Sequence, residues 1–210
     1  IFMDKKYKII LDTNAVGEFS GEQVVKLFRE EVSSTLKFLK EHSLREHVVL
    51  AVPEMVLLER RAQCARYVTG AISEVEKGLS KLAQLGVIIP SSEYNKNYIE
   101  AIEKLHDIEL SESKIQIIKT PKISIELLSK RALDLSPPFY STREIKDYGF
   151  KDTLIWLSIL EDARINQNTY FIFVSNDKDF TNHKSKLIAE FSTVNSNQFE
   201  ITENVGLLKS

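Results

Sequence analysis

Five acidic side chains stand beside the most apolar segments of this sequence. Each directly follows a short apolar run, begins an apolar segment, or lies a few residues into one. They are Asp12, Glu59, Asp152, Asp177 and Asp179. Carboxylates packed at one site repel and raise each other's pKa unless cations hold them together. If these side chains meet, the predicted ligands are therefore hard divalent ions that prefer oxygen donors, Mg²⁺ or Mn²⁺.

Three apolar runs are predicted to be strands that bring these residues together. The runs YKIIL, VVLAV and YFIFV, at 7–11, 48–52 and 170–174, are rich in β-branched and aromatic residues and do not alternate with polar ones. Such runs indicate strands buried on both faces of a parallel sheet. Ligands of open parallel sheets bind just beyond the carboxyl ends of the strands. We therefore expect the carboxylates to converge at that edge.

Helices are predicted between and after these strands. Apolar residues recur every three or four positions, which is typical of one helix face. The predicted helices are 21–40, a long one from Pro53 to about 82, 93–110, 123–135, one beginning at Asp152, and 184–191. We also expect short strands at 87–89 and 199–201. The pattern predicts one α/β domain over 3–210, with Met3 as its start and residues 86–140 as a helical elaboration.

The long helix is predicted to face the core with a stripe that includes Met55, Leu58 and Ala62. Glu59 would then lie on the flank of this stripe. A carboxylate at such a position needs a polar or charged partner. This position makes Glu59 harder to explain as an ordinary surface residue.

Composition excludes several classes of protein. With 28 Lys and Arg, 30 Asp and Glu, and 43% hydrophobic residues, the chain has a net charge of -2 and suits a folded globular domain. The single Cys64 permits no internal disulfide and is expected in the core, which favours a reducing, cytoplasmic location. No apolar run approaches the ~20 residues of a membrane span, so we expect neither export nor membrane insertion. The four His residues show no paired ligand spacing and are expected at the surface.

Each acidic residue also has an ordinary structural explanation. Asp12, Asp152 and the pair Asp177 and Asp179 suit turns, helix caps or the first turn of a helix. Taken singly, those explanations are favoured for most of them. The case for a functional site depends on their joint occurrence near strand ends.

Four segments resemble the signature motifs of PIN-domain nucleases, in the same order. They are IILDTN (9–14), VPEMVLLE (52–59), GFKDTLIW (149–156) and FVSNDKDF (173–180). The resemblance implies a three-layer α/β/α sandwich with a central, mainly parallel sheet. It places the family's catalytic acidic quartet on Asp12, Glu59, Asp152 and Asp177, with Asp179 as a possible fifth metal ligand. Asn14 matches the polar residue that often follows the first Asp, and it would orient Asp12 or contact nucleic acid.

The resemblance further implies metal-dependent phosphodiester hydrolysis, most often of RNA. One or two Mg²⁺ or Mn²⁺ ions would bind, the first to Asp12, Asp152 and Asp177 and a second toward Glu59. Family analogy alone also makes the protein a candidate toxin or phage-defence effector. Its partners would be the RNA substrate, an antitoxin or other regulatory protein, or a second copy of the chain.

Basic residues near the acidic ones could attract nucleic acid. We predict contacts from Arg60, beside Glu59, and from Arg131, Arg143, Lys146 and Lys151 in the stretch before Asp152. Aromatic residues interleave with this stretch and could stack on unpaired bases; they are Phe139, Tyr140, Tyr148 and Phe150. An ordinary solvated face with anchoring aromatics is an equally good explanation.

Two other functions compete with a nuclease. A phosphatase of the haloacid-dehalogenase type also carries an Asp after its first strand, but it requires a second Asp two positions later, where this chain has Asn14. A catalytically silent PIN-like module that binds RNA or protein is the stronger alternative. The complete acidic quartet favours the nuclease.

Overall fold

A parallel sheet forms the centre of the computed structural model, which describes residues 5–17, 25–87, 97–139 and 149–203. The strands are β1 (Lys6–Leu11), β2 (Val48–Pro53), β3 (Gln116–Ile118), β4 (Thr169–Val174) and β5 (Phe199–Thr202). Their order is β3-β2-β1-β4-β5, and every pairing is parallel. The three predicted central strands are confirmed within one residue at each end, and β1 lies in the middle of the sheet.

Helices cover both faces of the sheet and complete a three-layer α/β/α sandwich. They are α1 (Thr13–Val16), α2 (Glu30–Glu41), α3 (Glu54–Gln84), α4 (Tyr98–Ser113), α5 (Ile125–Leu133), α6 (Phe150–Ile165), α7 (Lys178–Thr181) and α8 (Lys184–Val194). The predicted fold class is therefore confirmed. No helix in the described ranges is both long enough and apolar enough to span a membrane.

The segment 86–140 is not a purely helical elaboration, because it also supplies the edge strand β3. This strand pairs with β2 through Ile118 and Pro53 at its carboxyl end. A strand is predicted at 87–89, but Val87 is not part of a strand. Residues 88 and 89 lie outside the described ranges. Sequence analysis missed β3 because three residues at a sheet edge give no periodicity to detect.

Helix α2 begins at Glu30, later than the predicted start at Gly21. The residues immediately before it are held by bonds to other elements. His106 Nε2 donates to Val25 O (2.8 Å), Arg60 Nη2 donates to Lys26 O (2.8 Å), and Leu27 N donates to Glu109 Oε2 (2.7 Å). These tertiary bonds override a helical pattern of apolar residues.

The predicted core-facing stripe of α3 was wrong. Its buried residues are Val56, Leu57, Arg60 and Cys64, whereas Leu58 is 55% exposed. Apolar residues occur on adjacent faces of this helix, so periodicity alone selected the wrong one. Past Cys64 every residue of α3 is half-buried or exposed. Only the first third of the helix is therefore packed into the core.

The predictions of burial for Cys64 and His106 had different outcomes. Cys64 is fully buried, as expected. His106 is also fully buried, so its predicted surface position was wrong. Burial lowers the pKa of His106 below its ordinary value. Its neutral ring then serves as a structural donor to the segment before α2.

Helix α6 is the central packing element of the fold. Ten of its sixteen residues are buried, on more than one side, as its composition predicts. Near its end, Asp162 accepts hydrogen bonds from Lys8 Nζ of β1 at 2.7 and 3.0 Å. Both side chains are nearly inaccessible to water. This buried ion pair ties α6 to the middle strand of the sheet.

We predict that Lys8→Met lowers the free energy of unfolding by about 3–5 kcal/mol, because it leaves Asp162 buried without its counter-ion. Lys6→Met on the same strand is the matched control, since Lys6 is exposed; its effect should stay within about 0.5 kcal/mol. Urea denaturation measures both. Equal stability of the two variants would show that the pair does not matter.

Candidate active site

The acidic side chains meet where β1 and β4 end. Leu11 and Val174 are paired at the last position of these neighbouring strands, and Asp12 N donates to Val174 O at 3.0 Å. Asp12 then caps α1, and Asp177 caps α7. The two residues are therefore helix caps and neighbours at the sheet edge at the same time.

Asp12 is the most deeply buried of these carboxylates, with 3% of its surface exposed. Its Oδ1 accepts a hydrogen bond from Thr13 N (2.7 Å) and its Oδ2 accepts one from Ser175 Oγ (2.6 Å). The pKa of Asp12 is raised to about 6, chiefly by burial and then by the negative charges of Asp177 and Glu59, while these hydrogen bonds oppose the rise. Ionised Asp12 is thus held in one orientation at an energetic cost.

Asp152 carries the larger shift. It lies in the first turn of α6, where Gly149 precedes the helix with a φ of 79°. A Cβ at Gly149 would collide with Pro138 O, so the chain can approach here only without a side chain. The pKa of Asp152 is raised to about 8, mostly by burial and then by the charges of four carboxylates in order of effect. These are Asp12, Asp177, Asp179 and Glu59.

Glu59 enters the site from α3, and both of its oxygens are engaged. Its Oε2 accepts a hydrogen bond from Thr13 Oγ1 (2.8 Å), and its Oε1 accepts one from Lys151 Nζ (2.7 Å). Its side chain is only 18% exposed. The partner that its position on α3 required is therefore a lysine from the first turn of α6.

Asp177 and Asp179 form a short turn at the end of β4. Asp179 N donates to Asp177 Oδ1 at 2.8 Å, and Asp177 N donates to Ser175 Oγ at 3.1 Å. Ser175, which is fully buried, therefore connects Asp177 with Asp12. Through its charge, Asp179 also belongs to the surroundings of Asp152.

Thr13 and Ser175 are site residues that could not be identified from the sequence. Thr13 binds Asp12 through its backbone and Glu59 through its hydroxyl, and Ser175 binds Asp12 and Asp177. Their only signal was adjacency to the acidic residues within the motifs, in Asp12-Thr13 and Ser175-Asn176-Asp177. Hydroxyl residues at such turns are common enough that adjacency alone did not distinguish them.

Two of the arginines predicted to bind nucleic acid are buried in structural contacts. Arg60 is fully buried, with its guanidinium against Gly17. Arg131 is 9% exposed and its guanidinium binds Glu190 and Pro137 O, while Glu190 also accepts a hydrogen bond from Trp156 Nε1 (2.8 Å). We therefore leave both arginines out of the proposed nucleic-acid contacts.

Of the other residues predicted to contact nucleic acid, the structure describes Asn14 and Lys151. Arg143 and Lys146 lie outside the described residues. Asn14 is half-buried in α1, next to Thr13, and its carbonyl accepts a hydrogen bond from Arg29 Nη1 (3.4 Å). Lys151 is 40% exposed at the site, but its ammonium binds Glu59.

The donor chemistry of the site suits a hard divalent cation, because it consists of carboxylates that repel each other. Burial, and after it the charges of neighbouring carboxylates, raises the pKa values of Asp12 and Asp152, and no basic side chain in the described ranges forms an ion pair with either. Among the described residues, no three Asp, Glu, His or Cys side chains stand as a ready-made ligand group. Hydrogen-bond donors of the protein already hold both oxygens of Asp12 and Glu59. The residues fit such an ion in charge and in donor type, and Asp12, Asp152 and Asp177 would hold it.

The fold and the site together define an α/β/α domain with an acidic centre at the carboxyl end of its middle strands. The chain matches the PIN domain family over residues 9–180. It belongs to the PIN-domain family, and the match begins and ends with the first and last of the four motif segments. PIN domains are generally nucleases, which indicates a nuclease-type hydrolase function for this chain. No curated protein and no solved structure matches it.

We predict that Asp152→Asn stabilises the metal-free protein at pH 8 and has little effect near pH 4. The folded-state pKa of about 8 lies above the ordinary value of 3.8, so between these values the folded state keeps a proton that the unfolded state releases. The contribution of Asp152 to the free energy of unfolding therefore falls as the pH rises, by on the order of a few kcal/mol. Asparagine has no such proton and removes the fall.

Urea denaturation in EDTA at several pH values measures this effect. Asp134→Asn is the matched control, because Asp134 is an exposed carboxylate at the end of α5. If Asp152→Asn and wild type lost stability in parallel as the pH rose, Asp152 would not be the strained carboxylate.

Proposed function

We propose that this PIN-domain protein is a divalent-metal-dependent endoribonuclease that uses Mg²⁺ or Mn²⁺. One observation carries the proposal: carboxylates from four separate parts of the chain meet at this edge, where burial and then their charges raise the pKa values of Asp12 and Asp152. Structural stability does not require such an arrangement, since each uncompensated buried charge is unfavourable. Strained carboxylates in a cluster are typical of functional sites.

The roles of the carboxylates follow from their contacts. Asp12, Asp152 and Asp177 would hold the ion, with Asp179 at the margin. When bound, the ion supplies a water of lowered pKa as nucleophile and offsets the charge that develops on the phosphate. Thr13 N and Ser175 Oγ fix the carboxylate of Asp12, and Ser175 fixes the turn of Asp177, so the ligands are oriented before substrate arrives.

Phe150 supports single-stranded RNA as the substrate. It begins α6 two residues before Asp152, and it is 44% exposed despite its large apolar ring. Unpaired bases stack on such rings whatever their sequence. Of the other aromatics considered, Phe139 is buried, and Tyr140 and Tyr148 lie outside the described residues. Phe150 is therefore the described aromatic residue that we assign to base stacking.

The expected partners and location stay predictions. Large apolar side chains are exposed on the helices beyond the sheet, among them Ile108, Ile125 and Leu133. Such side chains would suit an antitoxin, another regulatory protein or a second copy of the chain. A toxin or defence role and a cytoplasmic location are likewise expectations from the sequence.

We predict that Asp12→Asn and Asp177→Asn reduce cleavage of RNA to below about one hundredth of wild type, because loss of a charged group at a preorganised site commonly costs about 10²–10³-fold in rate. Asparagine is also a good helix cap, so both variants should fold. A circular single-stranded RNA assayed with Mg²⁺, Mn²⁺ or EDTA is the appropriate substrate, because only an endonuclease opens a circle. Asp134→Asn is the control. If wild type cut neither RNA nor DNA with either ion, a silent RNA- or protein-binding module would replace this proposal.

We predict that Phe150→Ala weakens binding of single-stranded RNA by about 1–3 kcal/mol, the usual contribution of one stacked base. Ile165→Ala is the matched control, because Ile165 is an exposed apolar residue at the opposite end of α6. Fluorescence anisotropy in Ca²⁺ or EDTA measures binding without cleavage. Equal affinities of the two variants would contradict a stacking role for Phe150.

A further inference from the structure

Glu59 differs from Asp12 and Asp152 because, among the described residues, it is paired with a basic side chain. Lys151 Nζ lies 2.7 Å from Glu59 Oε1, in an ion pair between residues 92 positions apart. Thr13 Oγ1 donates to the other oxygen at 2.8 Å. Among the described residues, the donors to Asp12 are both neutral, a backbone amide and a hydroxyl. The acidic centre is therefore asymmetric, with its positive side chain at Glu59.

An ammonium at this position competes with a metal ion for the same oxygen. A divalent ion bound to Glu59 would have to displace Lys151 from Oε1 and would then lie close to a like charge. The backbone of Lys151 stays beside the site, because it shares the first turn of α6 with Asp152. The rest of α6 is packed into the core and tied to β1 through Asp162 and Lys8.

We propose that Lys151 takes the place of a second cation, so that the site binds one divalent ion through Asp12, Asp152 and Asp177 while the ammonium holds Glu59. This inference rests on the proposed metal-dependent function. Lys151 is then a positioning residue that acts through Glu59. Its role also explains why a lysine stands directly beside a carboxylate that would bind the metal.

The number of bound Mn²⁺ ions per chain tests this inference without reference to activity. Metal-free protein is titrated with Mn²⁺ by equilibrium dialysis, and electron paramagnetic resonance detects coupling between neighbouring ions. We expect one uncoupled ion in wild type and in Lys151→Arg, which keeps the positive charge. Lys151→Met removes the charge at nearly constant length, and we expect it to bind a second, coupled ion.

Glu59→Gln provides an independent arm in case Lys151→Met does not fold. If Glu59 is held by Lys151 and does not bind the ion, this variant should still bind one Mn²⁺ with an affinity changed less than about threefold, whereas loss of a group that supports metal ligands typically costs about 10–100-fold. A larger loss of affinity would overturn the inference. Circular dichroism checks that each variant is folded.

The outcomes separate this inference from the proposed function. Two coupled ions in wild type, or one ion in folded Lys151→Met, would overturn the inference while metal-dependent cleavage still stood. Absence of Mn²⁺ binding and of cleavage in wild type would overturn both. Binding of a single ion by wild type and of two by Lys151→Met would support the inference.

Discussion

The half-buried Asp152 lies in the electrostatic field of the buried Asp12 at the carboxyl end of the middle strand, and no basic side chain among the described residues forms an ion pair with either. Burial contributes most to each raised pKa, and the surrounding carboxylates add to it. This repulsion constrains the rest of the site, because the fold must hold these groups together against it. Parallel strands do so by geometry, since β1 and β4 both end at the same edge.

The elements that hold the carboxylates are fixed by contacts remote from them. Helix α6 carries Asp152 in its first turn, is buried around Trp156, and is bound to β1 through Asp162. Trp156 of α6 and Arg131 of α5 share Glu190 of α8, which connects these three helices. The stable packing of these helices can offset the unfavourable clustering of the carboxylates. Such a trade of stability for activity is common at functional sites.

Much of the fold could be predicted because its strands are buried on both faces and their apolar runs are continuous. The acidic quartet could be proposed because strand ends fix where the carboxylates go. Contacts made across the fold could not be predicted: Arg60 and Arg131 look like surface cations in the sequence, yet tertiary partners bury them. The start of α2 and the short strand β3 could not be predicted for the same reason, because residues outside each segment determine them.

Lys151 shows most clearly why residue type and position together were insufficient. A lysine beside an acidic centre suits a phosphate contact, and its adjacency to Asp152 fits that role equally well. In the structure Nζ lies at hydrogen-bond length from Glu59 Oε1, and a phosphate contact stays a prediction. The protein thus balances one side of its acidic centre with its own ammonium, and in the proposed arrangement a cation from solution binds the other side, at Asp12 and Asp152. Lys151 and Asp152, adjacent in the first turn of α6, lie on the two sides of this centre.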